Sequence, residues 1–200
     1  PKTSLSLDQY QGRKFDYMLS NPPFGQSWKK EEEFIKNEAK DTSGRFNYGL
    51  PRVSDGALLF LQHLIHKMEP KGSRIGIVFN GSPLFTGDAG SGESEIRKSI
   101  LEKDLLEAII MLPDRLFFNT GIVTYIWILN NNKESIRKNK VQLINAKEFY
   151  KHAKIKLGEK SKEIDVDQRK EVLKLYCDFK ENKNSKIYNK DYFQYTKITI

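Results

Sequence analysis

The alternation of short apolar runs with helical patterns restricts the fold of this chain more than any other feature. Residues 15–19 and 74–79 are short apolar runs typical of buried strands, whereas residues 55–68 and 94–103 carry apolar side chains at helical spacing. Strands that alternate with helices pair in parallel through right-handed crossovers. The pattern therefore predicts an α/β fold in which helices cover both faces of one sheet.

The later part of the chain predicts further strands and one long helix. Residues 105–112 and 123–129 are rich in residues that favour strands, and residues 141–144 predict one more strand at the edge of the sheet. The short connections between these strands favour antiparallel pairing. Residues 159–181 predict a charged helix, whose apolar side is formed by Ile164, Val172, Leu173, Leu175 and Tyr176.

The net charge of +8 lies entirely in the last third of the chain. Residues 1–132 hold 16 Lys and Arg against 16 Asp and Glu, and residues 133–200 hold 18 against 10. A neutral domain with a basic extension suits binding along nucleic-acid phosphates. The alternative is a set of lysine-rich helix faces that only contact water.

The remaining composition narrows the class of protein. No signal segment opens the chain and no apolar run is long enough to cross a membrane, so we expect a cytoplasmic protein. The single cysteine, Cys177, excludes an internal disulfide and a CxxC motif. The chain begins at Pro1 and ends on alternating polar and apolar residues at 195–200, and we expect it to be a piece of a longer protein.

The sequence Asn21-Pro22-Pro23-Phe24, just after the first predicted strand, carries the clearest chemical signal. The motif suits methylation of an amino group such as the exocyclic nitrogen of adenine. That nitrogen is a poor nucleophile because its lone pair is delocalised into the ring, and a site that methylates it must draw the lone pair out. The Asn21 side-chain carbonyl and the Pro22 backbone carbonyl can each accept one hydrogen of that amino group and favour a tetrahedral nitrogen. Consecutive prolines fix the backbone, and Phe24 offers a flat face on which a flipped base can stack.

The alternative for this motif is an ordinary turn followed by a core phenylalanine. Its position favours catalysis, because ligands of open α/β sheets bind beyond the carboxyl ends of the strands. The candidate catalytic residues are therefore Asn21, Pro22, Pro23 and Phe24.

Residues 15–25, Phe-Asp-Tyr-Met-Leu-Ser-Asn-Pro-Pro-Phe-Gly, resemble the catalytic motif of adenine-N6 methyltransferases. The neighbouring segments resemble, in order, the modification (M) subunit of type I restriction-modification systems. These segments are residues 44–51, 57–64, 76–85, 95–98, 105–110 and 112–122, and weaker similarity continues to Ile200.

This resemblance implies the later half of a Rossmann-like class I methyltransferase sheet with a charged helical C-terminal extension. The implied reaction transfers a methyl group from S-adenosylmethionine to adenine N6 in duplex DNA. Residues 1–150 are then the C-terminal part of the catalytic domain, and residues 151–200 are a truncated basic helical extension. The family's glycine-rich donor-binding loop should precede Pro1, so we assign no cofactor-binding residue here and expect the fragment alone to be inactive.

The resemblance also implies partners and contacts with DNA. A specificity (S) subunit chooses the DNA sequence, and a restriction (R) subunit and a second M subunit can join the complex. Phe117 and Thr120 are expected to line the base pocket, the alternative being an aromatic buried in a hairpin-like connection. Lys29 and Lys30 can reach phosphate, although three glutamates follow them and favour a solvated helix start.

Two weaker signals favour packing over ligand binding. Residues 87–92 form a glycine-rich loop between a strand and a helix, but the spacing is not GxGxxG, and Asp88 and Glu93 would repel phosphate. His63 and His66 lie with a glutamate at helical spacing that suits a metal ion. An apolar helix explains these residues more simply, and we predict no metal site.

Two alternative functions stay open from the sequence. An Asn-Pro-Pro loop can orient any planar amino or amide group, so methylation of RNA or of protein glutamine is one alternative. The other is a non-catalytic DNA-binding or scaffold piece, in which only the basic residues 133–200 matter.

Overall fold

The computed structural model describes residues 3–118 and 120–198. Asn119 and Ile200, which belong to the segments that resemble the family, therefore lie outside the described residues. The strands are β1 (Tyr17–Ser20), β2 (Arg74–Phe79), β3 (Leu106–Met111), β4 (Tyr125–Asn130), β5 (Lys140–Asn145), β6 (Lys151–Leu157), β7 (Lys160–Glu163) and β8 (Ser185–Asn189). The helices are α1 (Glu32–Glu38), α2 (Ala57–His66), α3 (Ser82–Phe85), α4 (Gly92–Glu102) and α5 (Val166–Asp178), with short 3-10 turns at Lys29–Glu31, Ser135–Arg137 and Lys190–Phe193. Among these described helices, none has the length and apolar character needed to cross a membrane.

Six strands form one mixed sheet in the order β1-β2-β4-β3-β5-β8. β1 pairs with β2 in parallel, as predicted for two strands joined through a helix, and β3 pairs with β5 in parallel. β4 runs antiparallel between β2 and β3, which confirms the antiparallel pairing predicted for this strand, whereas β5 pairs with β3 in parallel and the prediction is wrong for β5. The crossover from β2 through α4 therefore skips one strand position, and the connection from β3 to β4 returns the chain to fill it.

β5 lies inside the sheet, so the prediction of an edge strand over residues 141–144 is wrong in its position. β5 pairs with β3 on one side and antiparallel with β8 on the other. Val141 and Ile144 are both buried, and each packs into a different apolar cluster. The edge is β8, whose five residues include only two apolar ones and predict no strand.

The apolar core surrounds the central strands. Ile75, Ile77 and Phe79 alternate along β2, are fully buried, and pack in one cluster with side chains of α2 and α4. A second cluster joins α5 to Ile110 of β3 and Ile144 of β5. Helices thus pack on the sheet through two separate clusters, in agreement with the predicted α/β class.

The helix predicted over residues 159–181 is wrong at its start. α5 begins only at Val166, where Asp165 and Gln168 form a capping box. The residues before it form the β6–β7 hairpin, which turns at Gly158 with a φ of 60°. Leu173, predicted on the apolar side of the helix, is 59% exposed. The extension is therefore helical only in part, and its last strand, β8, joins the main sheet.

A buried carboxylate fixes α5 to the sheet. Glu107 of β3 is 1% exposed and accepts hydrogen bonds from the Tyr176 hydroxyl of α5 and from Asn130 Nδ2, the latter at 2.6 Å. The guanidinium of Arg137 lies 4.5 Å from the centre of the Tyr176 ring. Burial and the hydrogen bond to Glu107 raise the pKa of Tyr176 above its ordinary value, so the hydroxyl remains a donor.

β1 leaves one side of the sheet open within the described part of the chain. No described strand pairs with its free edge. Tyr17 and Leu19 are 79% and 90% exposed, whereas Met18 between them is buried against α2 and β2. Large apolar side chains that point away from the core at an unpaired strand are typical of a surface that other residues cover.

Candidate active site

The candidate catalytic motif lies at the carboxyl end of β1. β1 ends at Ser20, so Asn21 is the first residue beyond the parallel β1–β2 pair. Asn21 is exposed, Pro22 is buried and Phe24 is partly buried. Gly25 has a φ of 62°, a backbone conformation that glycine adopts at little cost, and it ends the turn. The geometry therefore holds the motif at the edge of the sheet where ligands of α/β proteins bind.

Both candidate acceptors of the motif are available for a ligand. Among the hydrogen bonds of residues 3–118 and 120–198, none ends on the Asn21 side chain. The Pro22 carbonyl oxygen likewise accepts none of the loop and turn hydrogen bonds between backbone groups. Two adjacent carbonyl oxygens without partners at a fixed turn form a site that can accept two hydrogens from one amino group.

Trp28 anchors the loop that follows the motif. Its side chain is 2% exposed, and its Nε1 donates to the Arg52 carbonyl oxygen at 2.9 Å. The backbone N–H of Trp28 donates to the Val53 carbonyl oxygen at 3.1 Å, and that of Gly56 donates to Gln26 at 2.8 Å. These bonds join the loop to the segment that leads into α2. Sequence reasoning does not identify this anchor.

The connection between β3 and β4 contacts the motif. The rings of Phe24 and Phe117 meet edge to face, with their centroids 6.4 Å apart. Phe117 and Thr120 form an isolated antiparallel bridge, and the Thr120 hydroxyl accepts from the Ile122 N–H at 3.3 Å. The structure therefore places Phe117 against Phe24, and Thr120 beside Phe117 in the same connection.

Lys29 and Lys30 form the exposed start of the short turn Lys29–Glu31. The carboxylate of Glu31 does not face these lysines as an ion pair, because it accepts hydrogen bonds from the hydroxyls of Thr3 and Ser6, each at 2.6 Å. Burial raises the pKa of Glu31, but the hydrogen bonds from Ser6 and Thr3 outweigh it and lower that pKa. Within the described chain, neither lysine forms an ion pair, so both are free to meet phosphate.

Three residues that sequence reasoning missed tie the loops together. The Ser82 hydroxyl, just after β2, donates to Asp55 Oδ2 at 2.8 Å and accepts from Arg52 at 2.9 Å. Asp55 is 8% exposed, and its other oxygen accepts from the N–H of Ala57, the first residue of α2, at 3.1 Å. The predicted start of a helix at residue 55 is the only sign of this cluster in the sequence. Since Arg52 also holds Trp28, this cluster positions the motif loop against the end of β2.

Arg45 joins α1 and α2 to the first described residues of the chain. Its guanidinium donates to both oxygens of Glu38 at 2.6 Å and to the Leu5 carbonyl oxygen at 2.7 Å. It also lies 3.0 Å from His63 Nδ1. Burial, followed by the charge of Arg45, lowers the pKa of His63 to about 4. His63 therefore serves as a neutral acceptor for Arg45. Among the residues described, no group of three side chains is placed to bind a metal ion.

The glycine-rich loop over residues 87–92 packs against protein. A Cβ at Gly92 would lie 1.7 Å from the Leu50 carbonyl oxygen, so the glycine permits a close approach of two backbones. Ser91 caps α4 through its side chain, and Glu93 accepts from the Arg52 N–H at 2.9 Å. The buried carboxylate of Glu93 in the first turn disfavours a phosphate there.

A cavity of about 1270 Å³ lies between α4, the central strands and residues 193–196. Its walls include Arg97, Trp127, Leu143 and Tyr188. None of the candidate catalytic or DNA-binding residues lines it. The candidate acceptor groups and the aromatic pair lie at the carboxyl end of β1, so the cavity and the candidate catalytic motif are separate features of the structure.

Comparison with known proteins places the chain in a family. A family model described as N-6 DNA Methylase matches residues 2–196. The HindI type I restriction enzyme methylase subunit of Haemophilus influenzae is 34% identical over 146 residues, which are 73% of this chain and 30% of the relative. The MjaVIII methylase subunit of Methanocaldococcus jannaschii is 33% identical over 184 residues, which are 90% of this chain and 30% of the relative. The chain thus spans less than a third of the length of these relatives.

Solved structures share the fold. The type I restriction-modification methyltransferase subunit from Streptococcus thermophilus has a TM-score of 0.78 and 24% identity, covering 94% of this chain and 38% of that one. A modification subunit of a putative type I restriction enzyme from Vibrio vulnificus has a TM-score of 0.65 and 20% identity, covering 94% of this chain and 37% of that one. These likenesses confirm the fold predicted from the sequence.

Proposed function

This chain belongs to the N-6 DNA methylase family, and from that premise we propose that it is the part of a type I modification (M) subunit that holds the target base. The complete subunit methylates adenine N6 in duplex DNA. The observation that carries the proposal is the pair of free acceptors on Asn21 and Pro22, next to the Phe24–Phe117 contact. Residues 1–150 belong to the catalytic domain, and residues 151–200 form the basic extension.

The residues of the motif act on the amino group of a flipped adenine. The Asn21 Oδ1 and the Pro22 carbonyl oxygen each accept one N–H, which withdraws the lone pair from the ring and favours a tetrahedral nitrogen. Pro22 and Pro23 fix the direction of the carbonyl. Phe24, held by Phe117, stacks on the base and excludes water. No described residue is needed as a general base before the transfer.

S-adenosylmethionine supplies the methyl group in this proposal. The glycine-rich loop among the described residues does not fit a donor site, because Gly92 is closed against Leu50 and Glu93 lies in the first turn of α4. The donor is therefore assigned to residues that precede Pro1 in the complete subunit. The open edge of β1, with Tyr17 and Leu19 exposed, supports this assignment, since a continuation of the sheet would cover it.

The partners follow from the same premise. The relatives are named as methylase subunits of type I restriction enzymes, and we propose a specificity (S) subunit that chooses the DNA sequence of this one. A restriction (R) subunit and a second M subunit join it in the complete complex. The proposal puts the protein in the cytoplasm, together with its DNA substrate.

Product analysis of the assembled complex tests this function. The complete subunit, together with its specificity subunit, is incubated with S-adenosylmethionine and with unmethylated host DNA, host RNA or host protein. N6-methyladenine is expected in the DNA alone, measured by mass spectrometry of nucleosides. Methyl transfer to RNA or to protein glutamine, with none to DNA, would reject the proposal.

A further inference from the structure

The β6–β7 hairpin is a basic element beside the candidate active site. Residues 151–163 carry five lysines against two glutamates. The pairing jumps from His152 to Leu157, so that residues 153–156 face only Ser161 across the ladder. A bulge of this kind releases side chains from the regular pattern of a sheet, and bulges are common next to active sites.

The turn of this hairpin is fixed to the connection between β3 and β4. The Glu159 N–H donates to the Phe118 carbonyl oxygen at 3.0 Å, and the Ser161 N–H donates to the Arg115 carbonyl oxygen at 3.1 Å. At Gly158, with a φ of 60°, a Cβ would lie 2.6 Å from the Phe118 carbonyl oxygen. The turn therefore needs glycine, and the two backbones hold each other in place.

This docking connects the hairpin to the catalytic motif. Phe117, the neighbour of Phe118, contacts Phe24 with ring centroids 6.4 Å apart. At about 3.3 Å per strand residue, Lys156 lies at most about 7 Å along the chain from Gly158, and Lys154 lies at most about 13 Å from it. The bulge thus begins a few residues from a turn that is bound to the segment in contact with Phe24.

The five lysines of the hairpin differ in their partners. Three contact other residues of the chain: Lys151 pairs with Asp165, Lys162 pairs with Asp114, and Lys160 lies over the ring of Phe118. The side chains of Lys154 and Lys156, both in the bulge, are exposed and have no ion pair or hydrogen bond with any described residue. Their charges are available without the loss of an existing contact.

We propose that Lys154 and Lys156 bind phosphates of the duplex DNA strand beside the target adenine. The inference rests on the proposed function and adds residues that hold the substrate. A flipped base needs its backbone held next to the pocket, and phosphate contacts fix register and orientation. Lys29 and Lys30, on the loop after Phe24, supply a second group of cations.

The salt dependence of DNA binding tests the hairpin separately from catalysis. In the complete subunit assembled with its specificity subunit, Lys154→Gln/Lys156→Gln is compared with the wild type on a short duplex with S-adenosylmethionine present. The logarithm of the association constant for DNA falls linearly with the logarithm of the salt concentration. The loss of two phosphate contacts is expected to make this slope less steep by about 1.8 and to raise the Kd about 60-fold at 0.1 M salt. The variant Lys154→Arg/Lys156→Arg is expected to retain the wild-type slope.

The control removes the same charge from the same basic stretch. Lys174 and Lys180 are exposed and have no described ion pair; Lys174 lies in the second half of α5, and Lys180 lies beyond its end. Lys174→Gln/Lys180→Gln is expected to leave the slope unchanged. An equal change of slope in both glutamine variants, or no change in either, would overturn the proposal. Absence of methylation by the wild-type complex would instead reject the proposed function, whatever the slopes.

Discussion

Acidification from pH 7.5 to 5 is expected to weaken the fold through His63. Its Nδ1 faces the Arg45 guanidinium at 3.0 Å, an arrangement that suits a neutral ring and repels an imidazolium. Burial and the charge of Arg45 lower the pKa of His63 from 6.5 to about 4. Since the folded-state pKa lies below the unfolded value, the stabilisation is complete above about pH 6.5 and is lost as the pH falls towards 4.

The size of the effect follows from this shift. The linkage relation gives a loss of about 2 kcal/mol at pH 5 for a group whose pKa falls from about 6.5 to about 4. Because the ring of His63 is partly exposed, screening by water reduces the expected loss to about 1 kcal/mol. Glu38 and Asp8 also have lowered pKa values, but their ordinary values of 4.5 and 3.8 confine their effects to lower pH.

Urea unfolding of the 200-residue chain, followed by far-ultraviolet circular dichroism, measures this loss at pH 7.5 and pH 5. His63→Gln keeps an acceptor for Arg45 and does not titrate, so it is expected to lose about 1 kcal/mol less than the wild type between these pH values. His66→Gln is the control, because His66 is exposed and its ring forms no described hydrogen bond with Arg45. If His63→Gln and the wild type lose the same stability, the reasoning about Arg45 is wrong.

Two further substitutions test the packing of the extension. Gly158→Ala is expected to destabilise the chain by about 2 kcal/mol more than Gly12→Ala in calorimetry, because both glycines have positive φ but only the first approaches a carbonyl oxygen; equal losses would remove the steric argument. Tyr176→Phe removes a donor to the buried Glu107 and is expected to cost about 1–2 kcal/mol in urea unfolding, whereas Tyr192→Phe, at a residue 71% exposed, is expected to be neutral. A neutral Tyr176→Phe would contradict the role of that hydroxyl.

Local sequence patterns predict the elements with strong apolar periodicity. α2 and β2 have their ends within two residues of the predicted ranges, because Leu58, Leu61, Ile75 and Ile77 fall at regular spacing and are all buried. The position of Asn21 beyond a strand follows from the same pattern, since the apolar run stops at the proline pair. Burial and local backbone restriction act over a few residues and are therefore visible in the sequence.

The β6–β7 hairpin and the edge strand β8 have no such pattern. β6 is almost wholly exposed, and its lysines are equally compatible with a charged helix. The backbone bonds from Glu159 and Ser161 to the β3–β4 connection decide for the hairpin, and they join residues more than 40 positions apart in the chain. Long-range hydrogen bonds of this kind leave no periodic signal.

The candidate site shows the same division. Four consecutive residues of the sequence indicate the chemistry proposed for Asn21 and Phe24. The contact between Phe24 and Phe117 depends instead on the insertion of β4 between β2 and β3. The bond between Asp55 and Ser82 joins the start of one helix to the end of one strand. Such positioning residues are found only from the three-dimensional fold.

The single-turnover rate of methyl transfer by an Asn21→Ala complex tests the central claim most directly. The complete subunit with its specificity subunit is compared with Asn37→Ala, a matched change at an exposed residue of α1. Loss of one preorganised acceptor is expected to reduce the rate about 100- to 1000-fold, while the Kd for DNA stays unchanged. If Asn21→Ala methylates DNA as fast as Asn37→Ala, the amino group of adenine is not activated at this loop.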